Sequence, residues 1–384
     1  MQWRVVKILI APDKFKGSLN ARDVAENIAA GLREVLPESK INIVPMADGG
    51  EGTAEVISEA RQGSWVKCDV CDPIGREIEA RYAYIDDRKL AVMEMSEAAG
   101  MRRLAESERD PLRANTFGVG EMILAAANRG AREIVIGLGG SATNDGGVGM
   151  ARALGFRFFE HEHPPSPDSG AAVEQEFELS GIVKLEWIEK PKNLALPKMV
   201  AAVDVRNPLL GENGATRVFG PQKGATENKI DILERALGRL AEIVAKDFGI
   251  DYRDEPGAGA AGGLGFGLMS FCSAVMRPGF EVVAESVGLE SKMEDVDVVI
   301  TGEGSLDRQT LEGKTPAGVA RLARKLGKRV FAIVGRASED RQVRELFDEV
   351  YVLTQPGLSE KENIARVAEL LRDRARELAK SLDE

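Results

Sequence analysis

Short apolar runs rich in Val and Ile alternate with longer amphipathic stretches at both ends of the 384-residue chain. The N-terminal part contains, in this order, VVKILIAP, SLNARDVAENIAAGLREVLP, INIVPMA and GTAEVISEAR. The C-terminal part repeats the order in VDVVITG, TPAGVARLARKLG, RVFAIVG and VYVLT, and it ends in a predicted helix over 360–380. Strands that are apolar throughout are buried on both faces, so the alternation predicts a parallel sheet covered by helices.

The middle of the chain has hairpin-like spacing instead. Its strand-like runs WVKCDV, ARYAYID and LAVMEMSE are joined by short turns such as DPIGRE and DDRK. A predicted helix over 118–129 and the strands EIVIGLGG and MVAAVDV follow. We therefore predict an α/β protein of two α/β domains. A Rossmann-like parallel-sheet domain is formed by residues 1–68 and 290–384, and a mixed α/β domain is inserted at residues 69–289.

The charge balance limits the classes of partner. The chain has 62 Asp and Glu against 51 Lys and Arg, a formal net charge of −11, which excludes a basic protein that coats nucleic acid. The N-terminus lacks the pattern of a signal peptide, and 3 cysteines fit a reducing compartment better than a disulfide framework. We expect a cytoplasmic protein without nucleic-acid partners. With only 2 histidines, a general base is expected to be a carboxylate.

The uncharged segment 257–276 is about as long as a bilayer crossing requires. Six of its residues are glycine, which makes it a poor spanning segment. We predict a buried glycine loop that runs into a packed helix, and no association with a membrane. Gly257, Gly259 and Gly262 have GxGxxG spacing, but the polar YRDEP precedes them instead of a strand. Close packing or a phosphate nest is favoured over a dinucleotide site.

Glycine-rich loops with acidic residues or lysines follow several strands, and ligands of open α/β sheets bind at such strand ends. The first loop contains Asp13, Lys14, Lys16 and Ser18. Two lysines beside a helix N-terminus suit an anion such as a carboxylate or a phosphate. Ser18 is a candidate N-cap of the following helix, and a solvated turn with a helix cap is the alternative interpretation.

The second loop is Asp48-Gly49-Gly50-Glu51-Gly52-Thr53. Its three glycines are costly in backbone entropy, which favours a ligand close to the backbone. The third loop, at 137–147, reads GLGGSATNDGG. Its glycines can form an anion nest, its hydroxyls and amide can orient a substrate, and Asp145 can act as a base or bind magnesium.

The fourth loop, TGEGSLD at 301–307, precedes Thr310 and the sequence Gly313-Lys314-Thr315. Gly-Lys-Thr is part of the Walker A motif, but Arg308 stands where that motif requires glycine, so a P-loop is excluded. Asp204 adds another carboxylate after the strand MVAAV. Glycine loops with lysines and aspartates favour phosphoryl transfer, in which magnesium binds carboxylates, lysine binds phosphate and an aspartate accepts the hydroxyl proton.

Seven of these segments, in this order and spacing, resemble the bacterial glycerate kinases of the first class. They are IAPDKFKGSL, PMADGGEGT, IGLGGSATNDGG, DVRNPL, VFGPQKGA, PGAGAAGGLG and ITGEGSLDRQT. The resemblance implies transfer of phosphate from ATP to D-glycerate with Mg²⁺, 2-phosphoglycerate as the product, and an active site in the cleft between two α/β domains. Two features depart from the family. Ser305 stands where a basic residue is common, and residues 160–179 lack the usual glycine-rich spacing.

The resemblance and the loops together suggest a role for each candidate residue. The catalytic candidates are Lys14, Asp48 and Asp145. The candidates for binding glycerate are Asp13, Lys16, Ser18, Gly139, Gly140, Ser141 and Asn144. Those for the nucleotide are Gly49, Gly50, Gly302, Gly304, Asp307, Thr310 and Lys314, and those for magnesium are Asp204 and Glu303. A monomer or a homodimer is expected.

Two alternative functions belong to other classes. A nicotinamide-dependent dehydrogenase of a hydroxy acid would use the glycines at 257–262. A sugar-acid sensor would keep the binding pocket and lack turnover, with Ser305 as the residue that suggests the loss.

Overall fold

The structure is a computed structural model that describes residues 5–160, 179–355, 357 and 359–383. Most of the region whose spacing departs from the family, residues 161–178, lies outside the described residues, and so do both histidines. The chain divides into two compact units. The first comprises Met1–Arg61 and Pro278–Glu384, and the second comprises Gln62–Arg277.

The strands are β1 Lys7–Ile10, β2 Lys40–Ile43, β3 Ser64–Cys71, β4 Glu77–Ile85, β5 Leu90–Glu94, β6 Glu133–Gly137, β7 Arg157–Phe159, β8 Trp187–Glu189, β9 Lys198–Val203, β10 Val275–Pro278, β11 Val298–Thr301, β12 Ser305–Leu306, β13 Arg329–Val334, β14 Arg336–Ala337 and β15 Glu349–Val352. The helices are α1 Ala21–Val35, α2 Thr53–Arg61, α3 Ser96–Ala99, α4 Phe117–Asn128, α5 Val148–Ala153, α6 Leu179–Ile182, α7 Ala215–Phe219, α8 Glu227–Phe248, α9 Ala260–Cys272, α10 Gly279–Val287, α11 Leu289–Glu294, α12 Thr315–Lys325, α13 Arg341–Arg344, α14 Glu360–Ala365 and α15 Val367–Asp383. Short 3-10 turns lie at Met101–Arg103, Glu106–Glu108, Pro221–Lys223 and Arg308–Glu312. The predicted domain limits at 68 and 290 fall inside β3 and α11, whereas the units change at 61/62 and 277/278.

The first unit contains the predicted parallel sheet. Its strand order is β15-β13-β11-β1-β2, and all pairs described in this sheet are parallel. Ile8 of β1 pairs with Val298 on one side and Ile41 on the other. β1 therefore lies between β11 and β2, and the carboxyl ends of these three strands meet at one edge of the sheet.

Helix α1 buries Val24, Ile28 and Leu32, which recur every four residues and so lie on one face of the helix. Its N-cap is Asn20, whose side-chain oxygen accepts a hydrogen bond from the backbone of Asp23. The prediction that Ser18 caps this helix is wrong. Phe15 and Leu19 form a local bridge, which lengthens the turn and delays the start of the helix.

The C-terminal helix predicted over 360–380 is two helices, α14 and α15. The break lies at Arg366, whose backbone leaves helical geometry at φ −103° and ψ 10°. Apolar periodicity continues through such a break, so the sequence pattern does not reveal it.

The second unit contains a sheet of order β10-β9-β6-β5-β4-β3. β3, β4 and β5 pair antiparallel as the predicted hairpins, and β5, β6 and β9 pair parallel. The mixed α/β character predicted for the insertion is confirmed. Cys68 and Cys71 both lie on β3 as free thiols.

The glycine-rich segment 257–276 contains α9, and every residue of α9 is buried. Ala261, Gly262 and Gly263 have left-handed backbone geometry, so the helix becomes regular only after them. The prediction of a buried glycine loop that runs into a packed helix is confirmed. In the part of the chain that the structure describes, no helix has the length and apolarity needed to cross a membrane.

Candidate active site

Three loops of the first unit leave neighbouring strands at the same edge of the sheet. They carry Asp13 after β1, Asp48 after β2 and Glu303 after β11. The backbone N–H of Asp13 donates to the carbonyl oxygen of Gly302 at 2.8 Å, which joins the loop after β1 to the loop after β11. The topology thus brings together loops that are almost 300 residues apart in sequence. We call Asp13, Asp48 and Glu303 the carboxylate cluster.

Asp13 is buried, with 6% of its surface exposed. Its Oδ1 accepts from the backbone N–H of Lys14 at 2.6 Å, and its Oδ2 accepts from Oγ1 of Thr315 at 2.7 Å. Burial raises the pKa of Asp13 to about 7, with a further upward contribution from Asp48, against the opposing charge of Lys14. This carboxyl group therefore changes its charge near neutral pH.

Glu303 lies in similar surroundings. Its Oε1 accepts from Oγ1 of Thr310 at 2.8 Å. Burial raises the pKa of Glu303 to about 7, and Asp13 and Asp48 raise it further, whereas Thr310 and Lys314 lower it. Because the negative charges of these acids repel one another, the cluster favours a bound cation or a retained proton.

Lysines border the carboxylate cluster. Nζ of Lys14 donates to the carbonyl oxygen of Glu51, which ties the loop after β1 to the loop after β2. Lys314 is the N-cap residue of α12. Lys16 is exposed in the turn before α1, as is Ser18. The first unit therefore combines carboxylates with the cations that a phosphate requires.

Backbone conformation and close packing explain the glycines in and around the Asp48 loop. Gly49 and Gly52 have φ of 96° and 97°, in the left-handed region. Oδ1 of Asp48 accepts from the backbone of Gly50 at 3.1 Å. A Cβ on Gly279, the first residue of α10, would lie 1.7 Å from the carbonyl oxygen of Asp48. The start of α10 therefore packs directly against this loop.

The remaining nucleotide candidates of the first unit are linked to one another. The backbone N–H of Asp307 donates to Oγ1 of Thr310 at 3.1 Å, and Oγ of Ser305 donates to Asp307. Nε of Arg336 donates to Oγ of Ser305 at 3.1 Å, because β12 and β14 pair at these two positions. A guanidinium group from the neighbouring strand thus lies beside the residue that departs from the family pattern.

Two residues of this site were missed by sequence reasoning. Thr315, fully buried, donates to Asp13, and its only sequence signal was the Gly-Lys-Thr run that fails as a P-loop. Arg336 had no motif at all. Both reach the site through tertiary contacts, because Arg336 is 31 residues from Ser305 and Thr315 is 302 residues from Asp13 along the chain.

In the second unit, Asp145 is fully buried and anchors the loop at 137–147. Its Oδ2 accepts from the N–H and the hydroxyl of Thr116 and from the N–H of Gly149, and its Oδ1 accepts from the N–H of Gly147. Burial raises its pKa, and these four hydrogen bonds lower it. Since both oxygens bind protein groups, the geometry favours a loop-fixing role over the roles of base or magnesium ligand.

The other candidates of the second unit lie on the same loop or after β9. Gly140 has φ of 72°, and its carbonyl oxygen accepts from Met101. Ser141 is buried, and Nδ2 of Asn144 donates to Oγ1 of Thr216 at 3.0 Å. Asp204 is the first residue after β9 and is half-buried. The structure therefore gathers Gly139, Gly140, Ser141, Asn144 and Asp145 on one loop, with Asp204 at the end of another strand of that unit's sheet.

Among the residues that the structure describes, no group of three or more His, Cys, Asp or Glu side chains is arranged to hold a metal ion. Magnesium commonly uses only one or two protein carboxylates together with substrate phosphates. The carboxylate cluster supplies hard oxygen donors whose mutual repulsion a divalent cation relieves, so its chemistry fits Mg²⁺.

An α/β protein whose sheet edge carries buried carboxylates, bordering lysines and glycine-rich loops has the groups that phosphoryl-transfer enzymes use. Comparison with known proteins agrees with this class. Residues 8–383 match the model of the Glycerate kinase family. The chain belongs to this family and is an enzyme, a kinase.

Individual relatives cover most of the chain. The glycerate kinase of Bacillus subtilis is 39% identical over 381 residues, 98% of both chains. The glycerate 2-kinase of Escherichia coli is 42% identical over 337 residues, 87% of this chain and 86% of the relative. A crystal structure described as glycerate kinase 2 from Salmonella typhimurium LT2 is 39% identical, with a TM-score of 0.84 over 99% of both chains.

Proposed function

We propose that this protein is an ATP-dependent kinase that phosphorylates D-glycerate at the 2-hydroxyl, giving 2-phosphoglycerate and ADP. The observation that carries the proposal is the carboxylate cluster with Lys14 and Lys314 at one edge of the first unit's sheet. Such groups serve a reaction in which a hydroxyl loses a proton while phosphate charge is neutralised. The name of the E. coli relative, glycerate 2-kinase, supports the choice of the 2-hydroxyl.

Asp48 is our preferred base. It is half-buried, and only its Oδ1 has a hydrogen-bond partner among the described residues, the N–H of Gly50. Asp13 and Asp145, in contrast, have both oxygens occupied by protein donors. A partly accessible carboxylate with a free oxygen can accept the proton of the substrate hydroxyl.

The cations and loops are assigned to the charged parts of the substrates. Lys14 or Lys16 binds the carboxylate of glycerate or the γ-phosphate, and Lys314 binds the nucleotide phosphates. Backbone N–H groups at Gly49-Gly50 and Gly139-Gly140 hold phosphate oxygens. Gly302, Gly304, Asp307 and Thr310 complete the nucleotide side.

Glu303 would hold Mg²⁺ in the first unit, and Asp204 is a separate candidate ligand in the second unit. When bound, the ion neutralises phosphate charge during transfer. The residues themselves bind and orient the two substrates and accept the hydroxyl proton.

The proposal is tested by glycerate-dependent formation of ADP, followed with a coupled enzyme assay in the presence of Mg²⁺. We expect ADP release only when D-glycerate, ATP and protein are all present. Glycerate-dependent reduction of a nicotinamide cofactor without ATP would instead indicate the dehydrogenase. Thermal stabilisation by glycerate without ATP consumption would indicate the sensor.

Asp48→Asn distinguishes a general base from a substrate-binding group, because the amide keeps the shape of the carboxylate and loses its basicity. We expect kcat to fall about 100- to 10,000-fold with little change in the KM for ATP. Asp23→Asn, an exposed aspartate on α1, is the matched control and should keep full activity. An active Asp48→Asn variant would remove Asp48 from the role of base.

A further inference from the structure

Arg336 lies on the short strand β14, and none of the roles assigned above involves it. Its backbone N–H donates to the carbonyl oxygen of Gly304 at 3.2 Å, and that of Gly335 donates to the carbonyl oxygen of Glu303 at 3.1 Å. A Cβ on Gly335 would lie 2.4 Å from the carbonyl oxygen of Gly304, so the two backbones are in close contact. The structure therefore fixes Arg336 against the loop at 302–307, which carries candidates for nucleotide binding.

The side chain of Arg336 is tethered to this loop through one nitrogen. Ser305 and Arg336 are partners in the β12–β14 pair, and Nε of Arg336 donates to Oγ of Ser305 at 3.1 Å. The same Oγ donates to Oδ2 of Asp307 at 3.4 Å. The N–H of Asp307 donates to Thr310, whose hydroxyl donates to Glu303. One hydrogen-bonded chain thus connects the guanidinium group with the carboxylate cluster.

The outer nitrogens of this guanidinium group have no protein partner. Neither Nη atom of Arg336 forms a hydrogen bond or an ion pair with a residue that the structure describes. Other exposed arginines of this unit, Arg324 and Arg341, pair with carboxylates. Leu306 is buried and its neighbour Ser305 is partly exposed, because successive residues of a strand point to opposite faces. Arg336 is exposed, so an anion can reach it.

The chemistry of this group suits a phosphate. A guanidinium group that is held at Nε keeps a planar pair of Nη donors, which matches two oxygens of one phosphate. Without cations, the acids at Glu303 and Asp307 would repel a nucleotide phosphate. Lys314 supplies one positive charge at the start of α12. Ser305, which stands where a basic residue is common in the family, supplies none, whereas Arg336 brings a charge to it from the neighbouring strand.

We propose that Arg336 binds a phosphate group of the nucleotide and supplies the positive charge that Ser305 does not. Ser305 is then a positioning residue, whose hydroxyl holds the guanidinium group in place. The inference rests on the proposed function, because it takes ATP as the phosphate donor. The departure at Ser305 is compensated within one pair of strands, so it does not indicate a sensor without turnover.

Arg336→Met removes the charge and keeps an apolar chain of similar length. We expect KM and Kd for ATP to rise about 10-fold, the lower end for a charge-assisted hydrogen bond because Arg336 is exposed, and KM for D-glycerate to stay unchanged. Steady-state kinetics and calorimetric titration of ATP without glycerate measure these constants. Arg33→Met, at an exposed arginine in the last turn of α1, is the matched control. An unchanged Kd for ATP in folded Arg336→Met would overturn the proposal.

Arg336→Gln distinguishes phosphate binding from a purely structural clamp on the loop. Glutamine keeps a hydrogen-bond donor for Ser305 and loses the charge. We expect Arg336→Gln to bind ATP as weakly as Arg336→Met, and the difference from the wild type to shrink as salt is added. ATP affinity close to that of the wild type in Arg336→Gln would show a clamp and overturn phosphate binding.

The double variant Ser305→Arg/Arg336→Ser moves the guanidinium group to the partner position of the same pair. Because the two positions are neighbours across the strands, we expect Kd for ATP to return to within about threefold of the wild-type value. A Kd as high as that of Arg336→Met would overturn the compensation between Ser305 and Arg336.

Separate measurements of binding and turnover distinguish this phosphate contact from the proposed reaction. Weaker ATP binding by Arg336→Met, together with no glycerate-dependent ADP release by the wild type, would support the contact and refute the reaction. Glycerate-dependent ADP release with equal ATP binding by the two proteins would refute the contact alone.

Discussion

The buried carboxyl group of Asp13 shows how a residue of the candidate active site can lower the stability of the folded protein. Its carboxyl group is buried beside two other acids, and its pKa is raised to about 7. A group with a raised pKa stabilises the fold fully below its unfolded pKa of 3.8, and this contribution is lost as pH rises through about 7. At neutral pH and above, the ionised group therefore destabilises the protein.

Asp13→Asn should remove this pH dependence, because the amide stays neutral. We expect the variant to gain about 2 kcal/mol of unfolding free energy relative to the wild type between pH 5 and pH 8, while it loses kinase activity. Urea unfolding at both pH values measures the difference. Parallel stability curves for the two proteins would show that Asp13 ionises normally in the folded state.

Lys14→Ala removes one charge-assisted contact to a phosphate or carboxylate. We expect kcat/KM to fall roughly 30- to 1000-fold, equivalent to about 2–4 kcal/mol of transition-state stabilisation. Lys40→Ala is the matched control, since Lys40 is exposed at the amino end of β2, the opposite edge of the sheet. Normal turnover and normal glycerate affinity in Lys14→Ala would remove Lys14 from the site.

At the scale of elements, the start of α12 is joined to the loop after β1 by the bond from Thr315 to Asp13. Thr315→Val removes a donor that favours the ionised carboxylate. We expect the pKa of Asp13 to rise further and kcat/KM to fall about 10-fold at neutral pH, with Thr315→Ser close to the wild type. The pH profile of kcat/KM measures this, and an unshifted acidic limb would contradict it.

The contact of α10 with the Asp48 loop leaves no room for a side chain at Gly279. A methyl group at Gly279 would lie 1.7 Å from the carbonyl oxygen of Asp48, so Gly279→Ala must displace the loop. We expect a loss of more than about 2 kcal/mol of stability and a large fall in kcat/KM, read from thermal unfolding and from turnover. Gly238→Ala, inside α8 with its nearest contact at 3.8 Å, should be neutral or stabilising. Equal behaviour of the two variants would contradict the packing argument.

The elements themselves were largely predictable, because apolar runs and amphipathic periods are local signals. The start of α1 and the break at Arg366 were not, since each depends on a local backbone geometry that apolar periodicity does not encode. Thr315 and Arg336 were missed for another reason. Their partners, Asp13 and Ser305, are 302 and 31 residues away, and no spacing in one sequence reveals such a pair.

At the scale of the whole molecule, the order of strands in the first sheet explains why the catalytic candidates are so far apart in sequence. β1 and β11 are neighbours although the entire second unit lies between them in the chain. The glycine-rich loops were predictable because glycine, lysine and aspartate after a strand are a local pattern. The raised pKa values were not, because burial by distant segments causes them.

Phosphorus NMR of the products distinguishes transfer of phosphate from ATP to the 2-hydroxyl of D-glycerate from every alternative outcome. With D-glycerate, ATP, Mg²⁺ and the 384-residue chain, we expect a 2-phosphoglycerate resonance that disappears when either glycerate or protein is omitted. A 3-phosphoglycerate resonance would contradict the assigned hydroxyl. No phosphorylated glycerate from folded protein would contradict the proposed reaction.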